Sequence, residues 1–121
     1  MTYKQSTGEL FNGGGALLGR GYSGNGPALN DPGSDHIHDH GPIPRGQFTI
    51  GAPTNEKGPL TLPLTPIPAP DLSWLHGRAG FLIHGDNAAM NHTASEGCII
   101  MGHDVRAGIA AGGDRHLVVV A

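Results

Sequence analysis

The stretch "LTLPLT", Leu60 to Thr65, carries the clearest two-residue period in the chain. Leu60, Leu62 and Leu64 alternate with Thr61, Pro63 and Thr65, the pattern of a strand with one face in a core and the other in solvent. Pro63 has no N–H to give to a ladder, so the segment is expected at a sheet edge. Upstream, "GQFTIG" puts Phe48 and Ile50 on one face of a second strand. Residues 25 to 46 read as loop, with Asn-Gly-Pro, Asp-Pro-Gly and Gly-Pro-Ile-Pro in quick succession and Pro42 and Pro44 each lacking a donor. Before them, "GGGALLGRGYSGNG" is a brief apolar strand bounded by glycines. "TYKQSTGELF" is a hairpin turning at Ser-Thr-Gly.

Downstream, "PIPAPDLSW" is an extended linker, and "GFLIHG" is a short strand with His84 at its end, where a loop over 87 to 94 takes over. "GCIIM" is a buried strand or a strand-to-turn junction. Asp104 is expected to cap one short helix, "DVRAGIAAG", with Gly112 just past its end, and "HLVVVA" closes the chain as a β-branched strand. Short strands separated by turns, with one helix, predict an all-β barrel or sandwich. A length of 121 residues suits one domain spanning 1–121.

Gly 21 and Pro 10 make up about a quarter of the chain, near the range where disorder begins, and only 14% of residues are charged. No like-charge block or low-complexity repeat appears, and the apolar runs stand between turn signals, so a loop-rich globule is expected. The net charge of -3 and the scattered 7 Lys and Arg exclude the footprint of a nucleic-acid binder. No apolar stretch approaches the roughly 20 residues of a membrane-spanning helix. "MTYKQSTGELFN" has neither a charged n-region nor an apolar h-region, so export by an ordinary signal peptide is not expected.

Cys98 is the only cysteine and cannot form an internal disulfide; it is either an inert buried thiol or a reactive one. A cysteine nucleophile needs a base in hydrogen-bond reach, itself held by a third group. His84 ends one apolar strand and Cys98 begins another, so pairing those strands brings the two side chains to one sheet end. Gly85 and Gly97 flank them and allow close approach of backbone to substrate; amides around Gly97 and Cys98 are candidate donors to an oxyanion.

A rival signal is "DHIHDH", Asp35 to His40. His36, His38 and His40 at spacing two would fall on one face of an extended chain and hold a metal. The spacing falls one residue short of the His-x-His-x-Asp-His pattern of a metallo-hydrolase.

"IHGD…ASEGCIIM" resembles the active-site signature of the L,D-transpeptidase (YkuD-like) family, a His-Gly or His-Ser followed by Ser-His-Gly-Cys. "YSG" at 22–24, "GPIPRGQFTIG" at 41–51, "LTP" at 64–66 and "GRAGFLIHGDN" at 77–87 extend the resemblance, together with Arg106, to the type VI secretion effector branch of that family. The resemblance covers residues 3 to 120 and implies an L,D-transpeptidase-like β-fold that needs no cofactor. Its implied substrate is the peptidoglycan stem peptide, cut between meso-diaminopimelate and the following D-alanine. On this basis Cys98 is the nucleophile, His84 the base, the Gly85 carbonyl the group that orients it, and Ser95 with the Gly97 amide the shapers of an oxyanion pocket. Water resolving the acyl-enzyme gives an L,D-carboxypeptidase, and a D-amino acid gives exchange. Secretion without a signal peptide, action in the periplasm of a target bacterium and an immunity partner in the producing cell are the implied biology.

Glu96 stands where the commoner signature has a second histidine, and Ile100 where it often has an arginine. A carboxylate beside a thiol opposes its ionisation, so Glu96 is expected to point away unless it faces Arg78 or Arg106. Candidate substrate-binding residues are Arg106, through bidentate contact with a carboxylate, and Arg78, Asp86 and Tyr22. The plainer readings are a solvated helix residue for Arg106, a turn-closing residue for Asp86 and a core residue for Tyr22; Trp74 is either core or groove wall. Two other readings share features of the chain. A sortase-like transpeptidase also runs His, Cys, Arg, and a non-enzymatic metal or wall-binding module would use residues 36 to 40.

Overall fold

A computed structural model describes residues 1–67 and 71–121. Its strands are β1 (Thr2–Lys4), β2 (Glu9–Phe11), β3 (Leu17–Arg20), β4 (Tyr22–Ser23), β5 (Gly46–Ile50), β6 (Leu62–Pro66), β7 (Leu82–His84), β8 (Ile99–Ile100) and β9 (His116–Val120). The one α-helix, α1, spans His103–Ala111. All nine strands join one sheet in the order β3-β2-β1-β9-β5-β6-β7-β8-β4. Its two end strands, β3 and β4, are separated in sequence by Gly21 alone, so the sheet curls into a nearly closed barrel. Gly21 makes that corner possible: a Cβ there would lie 1.7 Å from the Ile100 carbonyl oxygen.

The hairpin expected at the N-terminus forms, with Tyr3 opposite Leu10 in antiparallel β1–β2. The period-two reading holds over 47–50 and 62–65 but not at the start of the "LTLPLT" stretch, where Thr61, expected on the solvent face, is fully buried. Phe48, Ile50, Leu62 and Leu64 are buried, while Thr49 and Thr65, opposite each other in β5–β6, are exposed. With Ile83, Ile99 and Leu117 they form the core, each such side chain contributing about 1.5–3 kcal/mol by leaving water. Leu60 lies outside the strand, with φ 56°. Trp74 meets Phe48 edge-to-face at 5.5 Å and belongs with this core.

Two expectations are corrected. Pro63 is not at an edge, because β6 runs between β5 and β7. It is tolerated there because its carbonyl, and with it its nitrogen, faces the side where β5 has already ended: the partner is Gly51, whose N–H donates to the Pro63 carbonyl at 2.8 Å. Asp104 does not cap α1. The cap position is Gly102, with no side-chain bond, and Asp104 lies inside the first turn, where its negative charge suits the helix dipole. The helix stops at Gly112 as expected. Ile109 reaches the core and Val105 packs against it.

The loop from 25 to 45 contains two short 3-10 turns, Gly26–Ala28 and Pro32–Ser34. Part of the "PIPAPDLSW" linker, residues 68–70, falls outside the described residues. Among those described, no helix is long and apolar enough to cross a membrane.

Candidate active site

Strands β7 and β8 pair in parallel, Ile83 opposite Ile99 and His84 opposite Ile100. One step earlier Cys98 stands beside Leu82, whose amide favours the ionised sulfur. Residues two apart along a strand share a face, so the register sets Cys98 and His84 on the same side, diagonally across the pair. Both border a cavity of about 360 Å³, together with Glu56, Lys57, Gly80 and Glu96.

His84 is buried. Its Nδ1 lies 2.8 Å from the Gly85 carbonyl oxygen, which can only accept, so Nδ1 carries the hydrogen and Nε2 the lone pair. Burial lowers the imidazole's pKa below its ordinary value; the bond to Gly85 opposes this, and the Lys57 and Arg106 cations add to it. Cys98 is half-buried, and its thiol lies 3.8 Å from the Gly80 carbonyl. Burial pushes this thiol above its ordinary value. The Leu82 amide and Lys57 pull the other way, while Glu56 and Glu96 push it further up. Burial therefore favours the neutral form of both the thiol and the imidazole on this one cavity.

The turn leading into β8 is held by Ser95, which is fully buried. Its Oγ accepts from the Gly24 amide at 2.9 Å and the Gly97 amide at 3.1 Å, and donates to the Cys98 carbonyl. The Gly97 N–H, which the sequence offered to an oxyanion, is thus engaged with Ser95. Gly97 has φ +134°, and a Cβ there would sit 2.3 Å from an Arg78 nitrogen. Only glycine fits between that guanidinium and the turn.

The match of a family model to residues 19–120, with the description Tlde1 domain, decides the family. The chain belongs to the Tlde1 domain family, a type VI secretion effector family. Neither the curated proteins nor the solved structures contain a match.

In this Tlde1 domain both candidate arginines are buried and bound to backbone. Arg78 donates through Nη1 to the Asp35 and Pro42 carbonyls, and through Nη2 to those of Gly41 and Glu96, at 2.7–3.1 Å. It also lies over the Phe81 ring, 5.4 Å from its centroid. Arg106 donates from Nε to the Met101 carbonyl at 3.0 Å, and from Nη1 to those of Pro59 and Leu60 at 2.7 and 3.2 Å. It is a buried strut and not a solvated helix residue. Tyr22 donates to Asp86 Oδ1 at 2.7 Å and accepts from the Ala94 amide at 3.2 Å. Burial, then the bond to Asp86, push its hydroxyl up to about 12. Tyr22, Asp86 and Arg106 border a separate cavity of about 560 Å³, together with Met90 and His92.

The histidine cluster of the Tlde1 domain does not assemble. The segment is not extended: the Ile37 amide donates to the Ser34 carbonyl and the Gly41 amide to the Ile37 carbonyl, coiling the chain through two successive turns. The imidazoles diverge as a result. His38 bonds the His76 carbonyl, His40 bonds Asn25 Oδ1, and His36 stacks edge-on against His76. Among the described residues no group of three His, Cys, Asp or Glu is placed to hold a metal ion.

Sequence reading passed over Glu56, Lys57, the Gly80 carbonyl and the Leu82 amide, all of which border the sulfur or its cavity. Two of them are backbone groups, which leave no mark in a sequence. The other two sit in a charged turn, "NEKG", that looks like any solvated loop. The bridge between Thr54 and Thr61 is what folds that turn over the cavity. Asp35 was read only as part of a metal cluster; it is buried and holds Arg45, through Nε at 3.0 Å, and Gln5 at 3.1 Å.

Proposed function

We propose that this Tlde1 domain is a cysteine-dependent L,D-carboxypeptidase, with D-amino acid exchange as a second outcome, acting on the tetrapeptide stems of peptidoglycan. The observation that carries the reading is the shared cavity of the chain's one thiol and a buried imidazole whose Nδ1 hydrogen is fixed on the Gly85 carbonyl. That bond leaves Nε2 as the basic nitrogen, the arrangement general-base activation of a nucleophile requires.

Both groups are neutral at rest, so proton transfer accompanies attack. The Cys98 Sγ–H proton passes to His84 Nε2 as the sulfur bonds to the scissile carbonyl carbon. The C–N bond then breaks, and the imidazolium returns the proton to the leaving D-alanine amine. Water attacking the thioester, deprotonated by the same nitrogen, releases the tripeptide and restores the thiol; a D-amino acid amine attacking instead gives the exchanged stem. In this reading Ser95 and Arg78 position the turn that carries Cys98, and Arg106 supports the backbone behind His84.

The substrate class rests on the resemblance of "IHGD…ASEGCIIM" to L,D-transpeptidases and on effector-family membership, which also motivates export by a secretion machine, action in a target cell's periplasm and a protecting immunity protein. The test is incubation with disaccharide-tetrapeptide, followed by mass spectrometry. Loss of the terminal D-alanine, abolished in Cys98→Ala and His84→Ala and unaffected by chelator, supports the assignment. Failure of the wild type to form tripeptide removes it.

A further inference from the structure

If the cavity receives a stem peptide with a free C-terminal carboxylate, a cation has to meet that carboxylate, since an unpaired charge entering a half-enclosed site is strongly disfavoured. Of the two arginines that sequence reading offered, Arg78 is bound to four backbone carbonyls, and Arg106, bound to three, borders a different cavity. Of the cavity's other basic side chains, His38 is tied to the His76 carbonyl. Lys57 is exposed, borders the cavity, and forms no ion pair or side-chain hydrogen bond among the described residues.

Its backbone is held in place. The Lys57 amide donates to Thr61 Oγ1 at 3.1 Å, that hydroxyl donates to the Gly58 carbonyl at 2.7 Å, and Thr54 and Thr61 bridge the base of the turn. Burial dominates the titration of Cys98 and His84, but the Lys57 charge acts on both. Glu56, Glu96 and Asp39 border the same cavity, so its charged rim is mixed and Lys57 is its one uncommitted permanent cation among the described residues.

We infer that Lys57 is the specificity-determining residue of the site, its ammonium receiving the carboxylate of the residue to be released. This rests on the peptidase reading for its substrate, while the recognition itself can be read without any peptide. Cys98 is the only thiol, so alkylation of the folded protein reports on this cavity alone. Iodoacetate carries a carboxylate and iodoacetamide is its neutral analogue; the ratio of their rates measures carboxylate preference and cancels the thiol's ionisation.

Lys57→Met is expected to lower the iodoacetate-to-iodoacetamide ratio by roughly 3- to 10-fold, the range between an exposed ion pair and a charge-assisted hydrogen bond. Lys57→Arg restores it. With tetrapeptide, Lys57→Met raises KM by more than it does for the C-terminal amide of the same peptide, while any change in kcat is shared by the two. An unchanged reagent ratio, or both reagents slowed equally, overturns the inference, as does an equal loss on acid and amide peptides. A wild type that cleaves no stem peptide but shows the lysine-dependent ratio removes the peptidase reading and leaves the carboxylate selectivity standing.

Discussion

Ile83 of β7 and Ile99 of β8 are parallel partners in the interior of the barrel, both fully buried. A shift of that register by one residue would turn Cys98 and His84 to opposite faces. Two apolar side chains therefore set which side of the pair the thiol and the imidazole share. Cys98→Ala and His84→Ala are each expected to lower tripeptide formation by at least about a hundredfold, the usual scale of losing a nucleophile or a general base. Product quantified by mass spectrometry against wild type checks this, with circular dichroism confirming that the fold is kept.

The neutral pair sets the pH behaviour. The His84 pKa is lowered from 6.5, chiefly by burial, so activity should hold through neutral pH and fall only once the solution is more acidic than that ordinary value. The unfolded chain takes up the proton first on acidification. Stability contributed by the neutral imidazole is thus present above 6.5 and declines as the pH drops from there towards the lower folded value. Melting temperature measured across this window should fall less in His84→Asn than in wild type. The Cys98 thiol is raised from 9.0, again by burial. Its iodoacetamide reactivity should keep climbing as the pH passes that value, where a free thiol levels off.

Arg106 is buried with three carbonyls as its partners. Arg106→Met leaves those acceptors without donors and is expected to destabilise the fold by about 2–4 kcal/mol. Urea unfolding measures it. A substrate-binding arginine on the surface would show the opposite pattern, a rise in KM with an unchanged unfolding midpoint.

Ser95→Ala removes a buried hydroxyl that accepts from two amides and donates to the Cys98 carbonyl. A loss of about 2–3 kcal/mol is expected from the stranded groups. The turn before Cys98 should loosen as well, so that hydrogen exchange at the Gly24 and Gly97 amides speeds up. Unchanged exchange at both amides would count against Ser95 as the post that holds this turn.

Much of the barrel was legible because its determinants are local. The alternation in "QFTI" and "LPLT", the Ser-Thr-Gly hairpin and the β-branched C-terminus each report a strand through neighbours one or two residues away. That the lone thiol and His84 lie near each other was legible, since both stand at the ends of apolar runs that pair as β7 and β8. Pro63 misled because its tolerance depends on where a different strand stops.

Residue types and their short-range spacing, then, determined that this chain builds short strands and one helix and carries one thiol with a histidine nearby. Tertiary structure alone decided that two arginines bond carbonyls up to 47 positions away, that three histidines part company in a coiled loop, and that a lysine from an unremarked turn borders the cavity of the sulfur. The reason is physical: a guanidinium bound to distant backbone and one waiting for a ligand have the same letter and the same neighbours. Only the path of the folded chain determines which carbonyls come within reach.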